Sequence, residues 1–186
     1  MTRLLKIGLP AVALALAVGA GVWYGNRTDD GKPPTSLCGT KVSPILSERL
    51  LQAGGKVTEH NRVDRRKPQP SSWCQVLVDG ESALAMRFAW HPDAVDPYKV
   101  AQSGDSVSNM AAPARLEGDY KAAVGNNGAI FTVQCRTDIG SYFTLTLLLQ
   151  KGNPVDRARR KDIEKFMRAY FPATIKTLGC AGGGTR

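Results

Sequence analysis

The chain contains few residues whose types and spacing could support catalysis. Its two histidines are His60 and His91, and His91 stands close to Asp93 and Asp96. This is the one compact set of a titrating base and carboxylates in the sequence. A general base needs a partner at hydrogen-bond distance, and the sequence positions neither a nucleophile nor a second base beside His91. A turn with solvated side chains explains the same residues, so no catalytic residue is assigned.

The motifs of common enzyme classes are also missing from the sequence. There is no Gly-x-Ser-x-Gly elbow, no His-Glu-x-x-His zinc motif and no glycine-rich phosphate loop. No Cys-x-x-Cys or Cys-x-x-His pair is present, so we expect no metal site and no cofactor. A secreted enzyme or inhibitor that uses the loop around His91 is kept as the alternative function.

The first 25 residues contain an uncharged stretch at 7–25. As a helix these 19 residues would be about 28 Å long, close to the hydrocarbon thickness of a bilayer. Trp23 and Tyr24 end the stretch with side chains that favour the interface between membrane and water. We therefore expect a transmembrane signal anchor, with a cleavable signal peptide as the alternative.

The charges around this stretch predict its orientation. Arg3 and Lys6 precede it, which favours a cytoplasmic N-terminus at 1–6 and a C-terminal part outside the cytoplasm. The predicted location is thus the cell membrane, with a single pass. Cleavage near the small residues 18–20 would instead give a secreted protein.

The rest of the chain divides into a linker at 26–36, an extracytoplasmic domain at 37–181 and a flexible tail at 182–186. Within the domain the pattern first predicts a helix from Ser43 to Gly54, a basic loop at 55–72 and a hairpin of 73–78 with 82–90. A long segment at 91–127 follows, whose elements we do not place. The pattern then predicts a hairpin of 129–135 with 142–150 and a helix at 155–178 that Pro172 bends or interrupts.

This order of elements predicts an α+β fold. We expect an antiparallel sheet of two hairpins, with an N-terminal and a C-terminal helix packed on it. The cysteines, Cys38, Cys74, Cys135 and Cys180, all follow the export segment, and an even number there is typical of disulfides. Four cysteines allow three pairings. Because the last helix runs back towards the turn at 136–141, we favour Cys135 with Cys180, and Cys38 with Cys74 by elimination.

The formal net charge of +9 is concentrated in two basic clusters. The candidate interaction surface consists of Arg157, Arg159, Arg160, Lys161, Arg65 and Arg66. Aromatic side chains do not alternate with these charges, so a nucleic-acid platform is not predicted. Outside the cytoplasm the anionic partners would be lipid headgroups, wall polymers or an acidic protein surface. A solvated helix face explains the same charges, and Trp73 beside Cys74 is assigned to core packing.

The chain combines an export segment, Cys38, the Leu-rich helix at 43–51, the pair Trp73-Cys74 and a final helix before Cys180. In these features it resembles small extracytoplasmic domains of actinobacteria, which are secreted or membrane-anchored. The resemblance covers 37–181 and carries no catalytic residues. It implies binding or scaffolding. The function we expect is therefore that of a membrane-anchored extracytoplasmic binding or scaffold domain of the cell envelope, with the membrane and an envelope protein or anionic surface as partners. The sequence predicts no oligomeric state.

Intact-mass spectrometry with and without reductant tests the export and disulfide predictions together. Reduction should add one hydrogen atom for each of the four cysteines, because all are expected to be paired. The same spectrum reports whether residues 1–20 are retained. An unchanged mass after reduction of the unfolded chain would contradict the disulfides.

Overall fold

The computed structural model describes residues 31–52, 54–103, 109–151 and 157–180. The predicted membrane span at 7–25 and the predicted tail at 182–186 lie outside these residues. Among the helices that are described, none is long and apolar enough to cross a membrane.

The described residues form an α+β structure, as predicted. The helices are α1 (Pro44–Leu51), α2 (Pro97–Gln102) and α3 (Arg157–Thr177). The strands are β1 (Ser36–Leu37), β2 (Thr40–Lys41), β3 (Val57–Asn61), β4 (Ser71–Val78), β5 (Glu81–His91), β6 (Ala114–Leu116), β7 (Lys121–Val124), β8 (Gly128–Thr137) and β9 (Gly140–Leu149).

The main sheet is antiparallel and follows the order β3-β4-β5-β9-β8-β7-β6, while β1 and β2 form a separate two-stranded ribbon. The two predicted hairpins, β4 with β5 and β8 with β9, are its centre. Asp79 and Gly80 connect β4 to β5 with φ angles of 53° and 82°, the left-handed conformation that a tight two-residue hairpin turn requires.

The prediction of a four-stranded sheet was wrong, because the sheet has seven strands in the described residues. The basic loop predicted at 55–72 contains β3, and the unplaced segment at 91–127 contains α2, β6 and β7. β3 lies at the sheet edge and β6 is three residues long, so neither has a run of alternating apolar residues. Long-range pairing with β4 and β7 decides their conformation instead.

Pro172 lies inside α3 without ending the helix. A proline removes one backbone hydrogen bond of the helix and crowds the turn before it. Here the flanking residues Tyr170, Phe171, Thr174 and Ile175 are all buried, and their packing holds the helix on both sides of the proline.

α3 packs on one face of the sheet, where an aromatic cluster fills the core. Phe171 of α3 lies 5.3 Å from Phe131 and 6.0 Å from Phe143, measured between ring centroids. Phe143 in turn lies 4.8 Å from Trp90. Burial of side chains of this size contributes about 2–3 kcal/mol each, so this face carries most of the apolar stabilisation.

Two disulfides join the ends of the chain to the sheet. Cys38 is bonded to Cys74 and ties the β1–β2 ribbon to β4, and Cys135 is bonded to Cys180 and ties β8 to the end of α3. This is the pairing that the sequence favoured. The closed loops span 36 and 45 residues, and each crosslink should contribute about 4 kcal/mol in the chain-entropy account.

Buried polar contacts fix the ribbon against α3. The Tyr170 hydroxyl donates to the carbonyl of Leu37 at 2.7 Å, and the hydroxyls of Thr40 and Thr174 lie 3.1 Å apart. Arg65, from the loop after β3, donates to the carbonyl of Cys38 and to the hydroxyls of Thr40 and Thr177. The ribbon, the loop and the last turns of α3 are thus one hydrogen-bonded unit.

Replacing Tyr170 with Phe tests this unit. At pH 7 the substitution should lower the free energy of unfolding by about 1–3 kcal/mol, because the buried Leu37 carbonyl loses its donor. Urea unfolding measures the loss. Tyr142→Phe, at a half-buried tyrosine on β9, is the control and should change stability by less than about 0.5 kcal/mol.

The same pair of proteins gives a pH-dependence prediction. Burial raises the pKa of Tyr170 to about 12, above the value near 10 of an unfolded tyrosine. The folded state therefore holds this proton more tightly, so the stabilisation is complete below pH 10 and is lost as the pH rises to 12. The stability difference between wild type and Tyr170→Phe should shrink by up to about 1.4 kcal/mol per pH unit across that interval. A difference that does not vary with pH would contradict a buried, protonated tyrosine.

Candidate functional site

The second face of the sheet is covered in part. α2 packs over β7 and β8, where Ala101, Met110, Ala123 and Ile130 form a small second core. Over β3 and the start of β4 the side chains of this face are exposed to solvent: His60, Arg62, Ser71 and Trp73. This open area of the sheet is the candidate functional site.

Trp73 is the centre of the open area, with 41% of its surface exposed. The Arg62 guanidinium lies over its ring, 5.1 Å from the centroid, and the Arg62 backbone N–H donates to the Trp73 carbonyl at 3.0 Å. The backbone bond holds the two residues opposite each other, so the stacking geometry is built into the chain. We call Arg62, Trp73 and their neighbours His60, Ser71 and Arg87 the Trp73 patch.

Arg87 flanks the indole on the other side. It is the register partner of Trp73 across the β4–β5 ladder, and its Nε donates to the Ser71 hydroxyl at 2.9 Å. The Cβ atoms of directly opposed residues on one face lie about 5 Å apart, so Arg87 is the strand neighbour of Trp73 on the side away from Arg62. Trp73 therefore stands between two arginines.

The carboxylates of the neighbouring strands are engaged elsewhere. β3, β4 and β5 contain two acidic residues, Glu59 and Glu81. A Glu59 carboxylate oxygen accepts the Cys38 backbone N–H at 3.0 Å, and desolvation there raises the pKa of Glu59. Glu81 starts β5 at the opposite end and pairs with Lys151. The Trp73 patch is consequently positive.

His91 lies on the same face, at the end of β5. Its pKa is lowered, first by desolvation and then by the positive charge of Arg87. Asp96 caps α2 by accepting the backbone N–H groups of Tyr98 and Lys99, and both of its oxygens accept from Arg115. The Arg115 contact is the main reason that the pKa of Asp96 is lowered.

The residues around His91 therefore do not form a joint site. Asp93 is exposed, and in the described residues no hydrogen bond or ion pair joins the His91 imidazole to Asp93 or Asp96. A catalytic base oriented by a carboxylate requires such a contact. The enzyme hypothesis is therefore supported only by the closeness of His91, Asp93 and Asp96 in the sequence.

The six residues of the predicted basic surface are separated by the fold. Arg159 is 8% exposed and donates to the Leu50 carbonyl, and Arg65 is half-buried in the unit described above. Arg160 is partly buried and donates to the carbonyl of Ala112. The exposed members are Arg66, Arg157 and Lys161.

The assignment of Trp73 to the core was wrong, and strand parity could have corrected it. Successive side chains of a strand point to opposite faces. In β4 the residues Ser72, Cys74 and Val76 are buried, so Trp73 must lie on the other face. A disulfide cysteine is normally buried, and its neighbour in a strand should then have been assigned to the outer face.

One group of potential metal ligands occurs in the described residues. The ligand atoms of Cys38, Glu59 and Cys74 lie within 4.8 Å of one another. The two sulfurs are joined in a disulfide, and a cysteine binds a metal ion as a free thiolate. The group therefore cannot hold a metal ion while the bond is intact.

Comparison of the chain with protein-family models, with curated proteins and with solved structures gave no match.

Fluorescence quenching tests the exposure and the charge of the patch. Trp90 is 5% exposed, so Trp73→Phe should remove most of the iodide quenching that Trp73 and Trp90 contribute, and Trp90→Phe should preserve it. Trp23 adds the same background to both variants. Because two arginines are neighbours of Trp73, its ratio of iodide to caesium quenching at low salt should exceed that of free N-acetyltryptophanamide. A ratio no higher than that of the free amide would contradict a positive patch.

Proposed function

We propose that this chain is an extracytoplasmic binding domain of the cell envelope, anchored in the membrane by residues 7–25, that binds an anionic glycan polymer of the cell wall through the Trp73 patch. The observation that carries the proposal is the exposed indole of Trp73 between two arginine side chains on an open sheet face.

An exposed indole on a sheet suits a sugar ring. The C–H groups of a pyranose form a flat apolar surface that can lie on the indole face that Arg62 does not cover, while its hydroxyl groups stay in water. Leaving an indole 41% exposed has a cost in water, which contact with such a ring would remove. Ser71 and His60, both exposed, provide polar groups at the border of the ring.

The two arginines account for the anionic part of the ligand. Guanidinium groups form strong, two-pronged hydrogen bonds with carboxylates and phosphates. Arg62 is already oriented by the Trp73 ring and Arg87 by the Ser71 hydroxyl, so less side-chain freedom is lost on binding. No carboxylate of β3, β4 or β5 competes for them.

The compartment agrees with this class of ligand. Two disulfides are typical of proteins in an oxidising environment outside the cytoplasm. The uncharged stretch at 7–25 supports the membrane anchor. An anionic wall polymer in that compartment would present both the charge and the sugar rings that the patch can contact.

Three soluble polymers separate the contributions of ring and charge. Polygalacturonate presents sugar rings with carboxylates, dextran presents rings without charge, and polyglutamate presents carboxylates without rings. We expect measurable binding to polygalacturonate, weaker binding to polyglutamate and none to dextran, in titrations of the full chain in detergent at low salt. Tighter binding to polyglutamate than to polygalacturonate would favour an acidic protein partner and overturn the glycan.

Matched variants assign the binding to the patch. Trp73→Ala should weaken polygalacturonate binding about tenfold or more, because it removes a central aromatic contact. Arg62→Gln should weaken it about threefold to tenfold and reduce its salt dependence. Arg66→Gln is the control: it lies in the same loop, removes the same charge, is exposed and does not stack on Trp73. Equal losses in Arg62→Gln and Arg66→Gln would contradict a defined patch.

A further inference from the structure

We infer that the end of the domain formed by the last turn of α1 and the first turn of α3 lies against the membrane and contacts anionic lipid headgroups. Its exposed cations are Arg49, Arg157 and Lys161, and we call them the basic corner. This inference rests on the predicted span at 7–25 and not on the ligand of the Trp73 patch.

The length of chain before the domain brings this end close to the bilayer. The predicted span ends at residue 25, and the described chain begins at Gly31. Fully extended, the connection measures at most about 20 Å. The chain then follows α1, because the Ser47 hydroxyl donates to the Pro34 carbonyl at 2.7 Å. Gly31 itself lies beside Gly54, where a Cβ atom on it would be 4.0 Å from the Gly54 carbonyl oxygen.

Helix contacts place the basic corner at the same end. The Arg159 guanidinium, in the first turn of α3, donates to the Leu50 carbonyl in the last turn of α1 at 3.3 Å. The start of α3 therefore meets the end of α1 close to Gly54, where the chain enters the domain. Segments 48–49 and 157–162 together contain five cationic and two acidic residues. The Asp79 carboxylate, which accepts the Lys56 backbone N–H beside Gly55, adds one negative charge, so this end stays positive.

An anionic membrane attracts such a surface over a short distance. The attraction falls off within a Debye length, about 8 Å at physiological salt. It would hold the domain with α3 pointing away from the bilayer. α3 has 21 residues and is about 30 Å long, and Arg65 binds Thr177 at its far end. The loop that carries Arg62 and the Trp73 patch would then face outward, towards the wall.

Lysine labelling of the full chain in vesicles tests the orientation. Lys161 and Lys176 lie on the same helix, about 22 Å apart, and both are exposed. The chain is reconstituted in phosphatidylcholine vesicles with or without phosphatidylglycerol and treated with a water-soluble acetylating reagent. The ratio of Lys161 to Lys176 labelling, measured by peptide mass spectrometry, does not depend on the fraction of domains that face outward.

We expect phosphatidylglycerol to lower this ratio about threefold, and 0.5 M salt to restore it, because headgroup contact is electrostatic. Arg157→Glu should abolish the effect of phosphatidylglycerol, and Arg136→Glu, an exposed arginine on β8, should preserve it. An equal labelling ratio of Lys161 to Lys176 in both vesicle types would overturn the inference. A chain that lacks residues 1–20, or that does not float with the vesicles in a density gradient, would overturn it as well. Equal protection of Lys161 and Lys176 would show adsorption of the whole domain and overturn it too.

Discussion

The arrangement around the Arg65 guanidinium is the constraint on which the rest of the structure depends. It donates to the carbonyl of Cys38 and to two threonine hydroxyls, and it lies 5.5 Å from the centroid of the Phe88 ring. Burial lowers the pKa of Arg65. An arginine side chain nevertheless stays protonated in proteins. This half-buried cation cannot leave without depriving the Cys38 carbonyl and the threonine hydroxyls of a donor, so it fixes the loop after β3 against the ribbon and α3.

The position of this loop determines the candidate site. Arg65 turns inward on the covered side of the sheet, and Arg62, three residues earlier, stays on the open side and stacks on Trp73. The Cys38–Cys74 disulfide acts in the same direction, because it holds Cys74 in the core and so directs its strand neighbour Trp73 outward. The indole is therefore exposed because interior contacts fix the orientation of its strand. These contacts do not require a bound ligand.

The molecule has two positive regions at opposite ends of α3, and they differ in chemistry. The basic corner offers dispersed charge without an aromatic group, which suits a surface of mobile headgroups. The Trp73 patch offers a flat ring with the Arg62 guanidinium stacked on it and Arg87 held by Ser71, an arrangement that suits a ligand with a defined shape. The two contacts that we propose use different regions, and the length of α3 separates them.

The sequence by itself determined the α+β class, the two central hairpins, both disulfides and the terminal helices. These depend on local signals: alternation of apolar residues, an Asp-Gly turn, a Ser-Pro helix start and an even number of cysteines. Tertiary structure decided the edge strands β3 and β6, the continuation of α3 through Pro172, and which arginines are exposed. Arg65 and Arg66 are neighbours of the same type, and long-range partners alone make one internal and the other solvated. The candidate site required the same information, because a face is open or covered only when the whole sheet has been assembled.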